Sequence, residues 1–229
     1  MGLFYSKPQE YYVLELNDVR VRGIVSTLNN LGSDIYDDFY KKLIAMPDDK
    51  PLRINIDTRG GEATMCIKIC RELKRRKQIT SVYISDKAYS AGTIIALCAD
   101  EIHMKPNGSL SPIDPQITIP KNCYQLTSLV RAIEETQPDK LDIPEAYNLP
   151  NILKYLRIQA GNCINSKYDK ELILQNMFDN PVMHSMLYFI EDLQKFDIPI
   201  MRYESREFYD EPEELEEPQI SDKPEDVKQ

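Results

Sequence analysis

The chain has 229 residues, enough for one sizeable α/β core with a small appendage, and its 42% hydrophobic and 28% charged content is ordinary for a soluble globular protein. No apolar run approaches the roughly 18–20 residues of a membrane span, and no signal-peptide pattern opens the chain. Of the net charge of −9, the segment from Glu204 to Gln229 carries eleven acids and three bases, leaving 26 acids and 25 bases elsewhere. The body is nearly neutral, lacks a basic stripe, and excludes nucleic acid as the expected partner.

Met1-Gly2-Leu3-Phe4-Tyr5-Ser6 fits only the loose N-myristoylation pattern. Tyr11 to Leu16 alternates as a first strand, and Arg20 to Val25 is a candidate second. Ser33 is placed as the N-cap of a helix through Ile35, Phe39, Leu43 and Ile44, ended by Met46-Pro47-Asp48-Asp49. Leu52 to Asp57 is a strand broken at Thr58-Arg59-Gly60-Gly61, and a helix follows from Glu62 to about Arg76 with Met65, Ile69 and Leu73 in register. Its basic end (Lys74, Arg75, Arg76, Lys77) suits the negative end of a helix dipole and needs no binding role.

Thr80 to Ile84 is the next strand, running into the small-residue turn Ala88-Tyr89-Ser90-Ala91-Gly92 and an apolar helix. Glu101 to Met104 reads as a short strand, with Asp100-Glu101 as turn chemistry, and Lys105 to Ser109 as a turn. Strand–helix alternation with short turns implies a parallel sheet with right-handed crossovers. Beyond Gln116 the chain turns helical: Tyr124 to Thr136, then a loop from Pro138 to Pro150, then Asn151 to Phe178, broken near Gly161, and Leu187 to Phe196. Ile198 to Met201 is a final small strand, and the residues after Tyr203 form an acidic tail without a core of their own. The expected division is one domain over 1–203 and the tail over 204–229.

Five cysteines (Cys66, Cys70, Cys98, Cys123, Cys163) show no CxxC pair and only two histidines accompany them, so they read as reduced, mostly buried thiols of a cytoplasmic protein rather than a metal site. No metal or organic cofactor is expected. Ser90 stands where a strand enters a helix, which lifts its hydroxyl off the sheet and turns the following N–H groups the same way. Gly60-Gly61 follows the neighbouring strand, so a Gly61 N–H paired with that of Ala91 would form a two-amide oxyanion hole at the carboxyl edge of one sheet. Small residues also serve plain helix–sheet packing, and Gly-Gly also serves a plain turn; the residues alone leave both readings open. Asp57 is placed to hydrogen-bond the glycine turn, and His103 is read as structural.

The run from Ile54 to Gly61, with Tyr89 to Ile102, resembles the ClpP/crotonase superfamily, and Leu110-Ser111-Pro112-Ile113-Asp114-Pro115-Gln116 brings it nearest the serine dehydrogenase proteinase family, relatives of the Clp proteolytic subunit and signal peptide peptidase A. The resemblance spans Tyr11 to Met201 and is strong from Ile54 to Gln116. It implies a ClpP/crotonase-like α/β fold of repeated βαβ units with a helical C-terminal part, and serine-type peptide hydrolysis with Ser90 as nucleophile and the Gly61 and Ala91 amides as oxyanion donors. Asp114 stands where the Clp subunit has its general-base histidine, and His184 falls near the place of that subunit's triad aspartate. The resemblance therefore implies a rearranged triad, with His184 as base and Asp114 orienting it. Rival readings are a Ser-Lys dyad through Lys167 or Lys170, a catalytically silent scaffold or adaptor that keeps the fold, and crotonase chemistry on an acyl-CoA thioester, for which no adenine or pyrophosphate site is evident. The partners implied are a peptide or protein substrate, further copies of the chain in a homo-oligomer, and an unfoldase or adaptor.

Overall fold

The computed structural model describes residues 10–17, 31–119, 122–135, 146–180 and 183–203. The candidate strand at Arg20–Val25, the Met1–Ser6 motif and the segment from Glu204 onward lie outside them.

Strands β1 (Tyr12–Asn17), β2 (Leu52–Thr58), β3 (Thr80–Ala88), β4 (Glu101–Met104) and a C-terminal strand β8 (Ile200–Arg202) lie side by side in that order, and β5 (Ser109–Leu110) pairs with the end of β3; every pairing is parallel. The crossovers are α1 (Leu31–Ala45), α2 (Ala63–Leu73) and α3 (Ala91–Cys98). This is the expected α/β architecture. Strict alternation along β2 sends Leu52, Ile54, Ile56 and Thr58 to the helix-covered side and Arg53, Asn55 and Asp57 to the other. Ile54, Ile56, Val82, Ile84, Ile102 and Met104 make the centre of the core, each worth about 1.5–3 kcal/mol of burial.

Tyr36, Phe39 and Leu43 bury the inner face of α1, whereas Ile44, 100° further round, is exposed. Helix α1 starts at Leu31, so Ser33 lies inside its first turn and is not the N-cap. Helix α2 buries Met65, Cys66, Ile69, Cys70 and Leu73 along one stripe. Four of the cysteines are buried thiols and Cys123 is exposed.

After β5 the chain makes a two-stranded antiparallel ribbon, β6 (Gln116–Ile119) and β7 (Asn122–Gln125), then α4 (Leu126–Glu135). The sequence reading missed this ribbon and began the helix two residues early: β6 alternates over only four residues, Gln116-Ile117-Thr118-Ile119, and β7 is mostly exposed. A 3-10 turn (Ala146–Asn148) leads into α5 (Leu149–Cys163), so the expected loop ends before Pro150 and not after it. The long late helix breaks at Ile164, three residues past Gly161 and close to the expected place; α6 (Lys170–Ile173) continues into a π-helical turn over Leu174–Asp179. Helix α7 (Ile190–Gln194) precedes β8.

On the sheet face opposite the core, the His103 ring stacks on Tyr83 (centroids 4.2 Å apart, 5° between planes), and the Arg53 guanidinium lies 3.9 Å from the Tyr83 ring. His103 also faces Glu101 at 3.3 Å. This is the structural role expected of His103. Asp100 accepts the Thr80 N–H at 2.9 Å, as turn chemistry requires.

Candidate active site

Strands β2 and β3 are adjacent and parallel, so the turns after them share one edge of the sheet. Their register runs Ile56 opposite Ile84, then Thr58 opposite Ala88. The two extra residues in β3 form a bulge that re-aims its end. Ser90 follows with φ 51° and ψ −113°, and α3 begins at the next residue. A positive φ at a non-glycine residue is costly and persists only where neighbours hold it. Here the Tyr89 N–H donates to the Thr58 carbonyl at 3.0 Å, and the Ser90 N–H to the Ser111 hydroxyl at 2.8 Å.

The glycine turn fits against this elbow. Gly60 has φ 104°, and a Cβ there would stand 2.8 Å from both Ser90 Cβ and the Tyr89 carbonyl. A Cβ on Gly61 would meet the Tyr36 ring at 2.8 Å. Only glycine permits both the conformation and the approach. The Gly60 N–H donates to the Thr58 hydroxyl at 3.1 Å, while Asp57 pairs with Lys87 at 3.0 Å. Asp57 therefore does not hold the glycine turn, contrary to the sequence reading; it sits on the opposite side of β2, and Thr58 does the holding. The Gly61 and Ala91 N–H groups have no hydrogen-bond partner among the described residues, and Ala91 opens α3, where the first N–H groups have none within the helix.

Asp114 is 1% exposed. Its Oδ1 lies 2.9 Å from His184 Nδ1, and its Oδ2 accepts from Gln116 Nε2 at 2.8 Å. The pair joins positions 70 residues apart. A two-way backbone bridge between Leu110 and Tyr188 brings the His184 segment beside the Asp114 segment, and the Ile113 N–H donates to the Met177 carbonyl at 2.9 Å. With Nδ1 directed to the carboxylate, the partly exposed imidazole keeps Nε2 for other chemistry. The Ser111 hydroxyl that receives the Ser90 N–H is three residues from Asp114, which ties the serine elbow to the Asp114–His184 pair through one short segment. Ser90 Oγ itself makes no hydrogen bond among the described residues, to His184 or any other group.

The lysines lie elsewhere. Lys167 Nζ donates to the Asp100 carbonyl, and Asn165 donates its N–H to Leu97 and its side-chain NH2 to Ala99, all at the C-terminal end of α3. Ser90 precedes the N-terminal end of α3, whose eight residues span about 12 Å. Burial does lower the Lys167 pKa, against the pull of Asp100 and Glu101. Among the described residues neither Lys167 nor Lys170, the first residue of α6, contacts Ser90. No group of three or more His, Cys, Asp or Glu able to hold a metal occurs among the described residues.

A serine elbow and a glycine turn at the carboxyl edge of a parallel sheet, beside a carboxylate–imidazole pair, define the class of ClpP-like α/β folds. The sequence model of the ClpP-like SDH-type serine proteinase family matches residues 33–224, and the chain belongs to that family. It is 34% identical over 139 residues to the uncharacterized protein MJ0137 of Methanocaldococcus jannaschii, an alignment covering 59% of this chain and 47% of that one. The chain thus spans about half the length of that relative. Two solved structures of the 1510-N membrane-bound stomatin-specific protease share the fold. A lysine-to-alanine mutant with a substrate peptide gives a TM-score of 0.55 at 20% identity, covering 84% of this chain and 75% of that chain. A serine-to-alanine mutant gives 0.54 at 18%, covering 84% and 79%. Among the described residues no helix is long and apolar enough to cross a membrane.

Proposed function

We propose that the chain is a serine endopeptidase in which Ser90 attacks a peptide carbonyl, His184 takes the serine proton at Nε2, and Asp114 holds the imidazole at Nδ1. The observation that carries this is the buried Asp114 carboxylate at 2.9 Å from His184 Nδ1, on a segment hydrogen-bonded to the Ser90 elbow. A buried carboxylate fixes the tautomer and stabilises the imidazolium that forms. The tetrahedral oxyanion would take the Gly61 and Ala91 N–H groups, the latter at the positive end of α3. His184 then protonates the leaving amine, and water releases the acyl group by the same base. Substrate entry draws Ser90 Oγ and His184 into hydrogen-bond range, since such contacts tighten on binding.

The Ser-Lys dyad is disfavoured by the place of Lys167 at the far end of α3. A peptide substrate is supported by the family and by the substrate peptide held in the 1510-N fold relative. Self-association is supported by an exposed apolar stripe on α5, formed by Ile152, Tyr155 and Ile158, which starts at the edge of its buried face and winds away from it. The test is incubation with a library of unstructured peptides, read by mass spectrometry. Cleavage by wild type and none by Ser90→Ala is expected. Equal traces from both would favour the silent scaffold.

A further inference from the structure

Each proposed oxyanion donor follows a residue whose backbone is held at positive φ: Gly60 (104°) precedes Gly61, and Ser90 (51°) precedes Ala91. Alternation of left- and right-handed residues makes successive N–H groups converge into an anion-binding concavity. It also leaves the N–H of the positive-φ residue without a helix or strand partner. In both turns that N–H ends on a fully buried hydroxyl. Gly60 N–H donates to Thr58 Oγ1 at 3.1 Å, and Ser90 N–H donates to Ser111 Oγ at 2.8 Å. Thr58 is 0% and Ser111 2% exposed.

Both hydroxyls are themselves fixed. The Ser111 hydroxyl donates to the Pro112 carbonyl at 3.0 Å, so its lone pairs face Ser90, and the Ser111 N–H is held by the Thr93 hydroxyl at 3.1 Å. Thr93 in turn donates to the Ala88 carbonyl at 2.6 Å, closing a loop around the elbow. The Thr58 hydroxyl lies 3.4 Å from that of Tyr36, whose ring packs on Gly61. Thr58 also spans both turns, because its carbonyl receives the Tyr89 N–H. A buried polar group costs free energy unless paired, so residues of this kind inside a core need a use. Glycine-turn packing and helix–sheet contact would be served as well by valine at 58 and alanine at 111.

We propose that Thr58 and Ser111 are the positioning residues of the oxyanion hole, each binding the N–H just before a donor amide so that the donor stays aimed at substrate. The inference rests on the peptidase reading above. Pinning the preceding N–H stops the positive-φ residue from relaxing to negative φ, a change that would swing the next amide out of the hole. Neither hydroxyl touches substrate.

The test is the second-order rate of fluorophosphonate labelling at Ser90, with thermal melts as folding controls, for wild type, Thr58→Val, Thr58→Ser and Ser111→Ala. Deleting an oxyanion donor outright costs about 10²–10³-fold, so loosening one predicts a loss of about 10–100-fold in Thr58→Val and in Ser111→Ala. Thr58→Ser keeps the hydroxyl and should label within about threefold of wild type. Peptide turnover should show the same losses in kcat with KM unchanged, because the hole acts on the tetrahedral state and not on bound substrate. A role in packing alone predicts the reverse order, since Thr58→Val keeps the volume and Thr58→Ser deletes a methyl; that order, or wild-type rates in folded Ser111→Ala, overturns the proposal. Wild type that never labels overturns the peptidase reading, and the proposal with it. Should Thr58→Val fail to fold, Ser111→Ala decides.

Discussion

Gly92→Ala places a methyl group where Thr58 already stands. A Cβ on Gly92 would lie 2.5 Å from Thr58 Cγ2, while the next neighbours, Ala88 Cβ at 3.6 Å and Ile56 Cγ2 at 3.9 Å, are in ordinary contact. Carbon atoms rest at about 3.5–4.0 Å, so α3 and the end of β2 must part by about 1–1.5 Å. Overpacking of this size costs about 1–3 kcal/mol, and alanine returns about 0.5–1 kcal/mol of helix propensity. The net loss is about 1–2 kcal/mol, or about 2–8 °C in Tm for a domain of this size. Because the clash is with one methyl, Thr58→Ser should relieve it. Alone, that change costs about 1 kcal/mol for the lost methyl; combined with Gly92→Ala, it should leave a protein at least as stable as Thr58→Ser by itself. Urea denaturation followed by circular dichroism gives the double-mutant cycle, with an expected coupling of about 2 kcal/mol. Additivity within about 0.5 kcal/mol would refute the assignment of Gly92 to a close approach between α3 and β2.

Gly60→Ala sets a side chain at φ 104° and 2.8 Å from Ser90 Cβ; fluorophosphonate labelling should fall at least about tenfold while the far-ultraviolet dichroism stays that of the wild type. His103 is held below its ordinary pKa mainly by burial, with Glu101 opposing. The unfolded chain therefore takes up the proton more readily, and stability should drop as pH falls through the unfolded value of about 6.5. His103→Gln removes that contribution, so its urea midpoint should change less than the wild type's between pH 7.5 and 5.5; an equal change would contradict the burial of a neutral imidazole. Disruption of the α5 stripe by Tyr155→Glu should lower the mass measured by light scattering, whereas an unchanged assembly would place the contact elsewhere.

Much of the sheet was legible because β2, β3 and β4 are short apolar runs closed by turn residues, and the two site turns carry glycine at the positions that need it. The Asp114–His184 pair was reached only through family resemblance, since nothing local couples two residues 70 positions apart. The hydroxyls of Thr58 and Ser111 were missed altogether. A threonine at a strand end and a serine before proline are ordinary, and their value lies in which N–H the fold brings to them. Asp57 was the residue expected to hydrogen-bond the glycine turn, but strand alternation sends it to the opposite face from Thr58. The β6–β7 ribbon escaped for another reason: the alternation of β6 lasts only four residues, and β7 is mostly exposed, so the pattern is too short to mark a hairpin.

The central claim is that Ser90 is an activated nucleophile served by His184. It is tested most directly by fluorophosphonate labelling with the adduct located by mass spectrometry, comparing wild type with Ser90→Ala, His184→Ala and Lys167→Ala. A single phosphonyl adduct on Ser90 in wild type and Lys167→Ala, absent from Ser90→Ala and reduced by about 10²–10⁴-fold in His184→Ala, is the predicted result. Labelling that survives loss of His184 and disappears with Lys167 would contradict it.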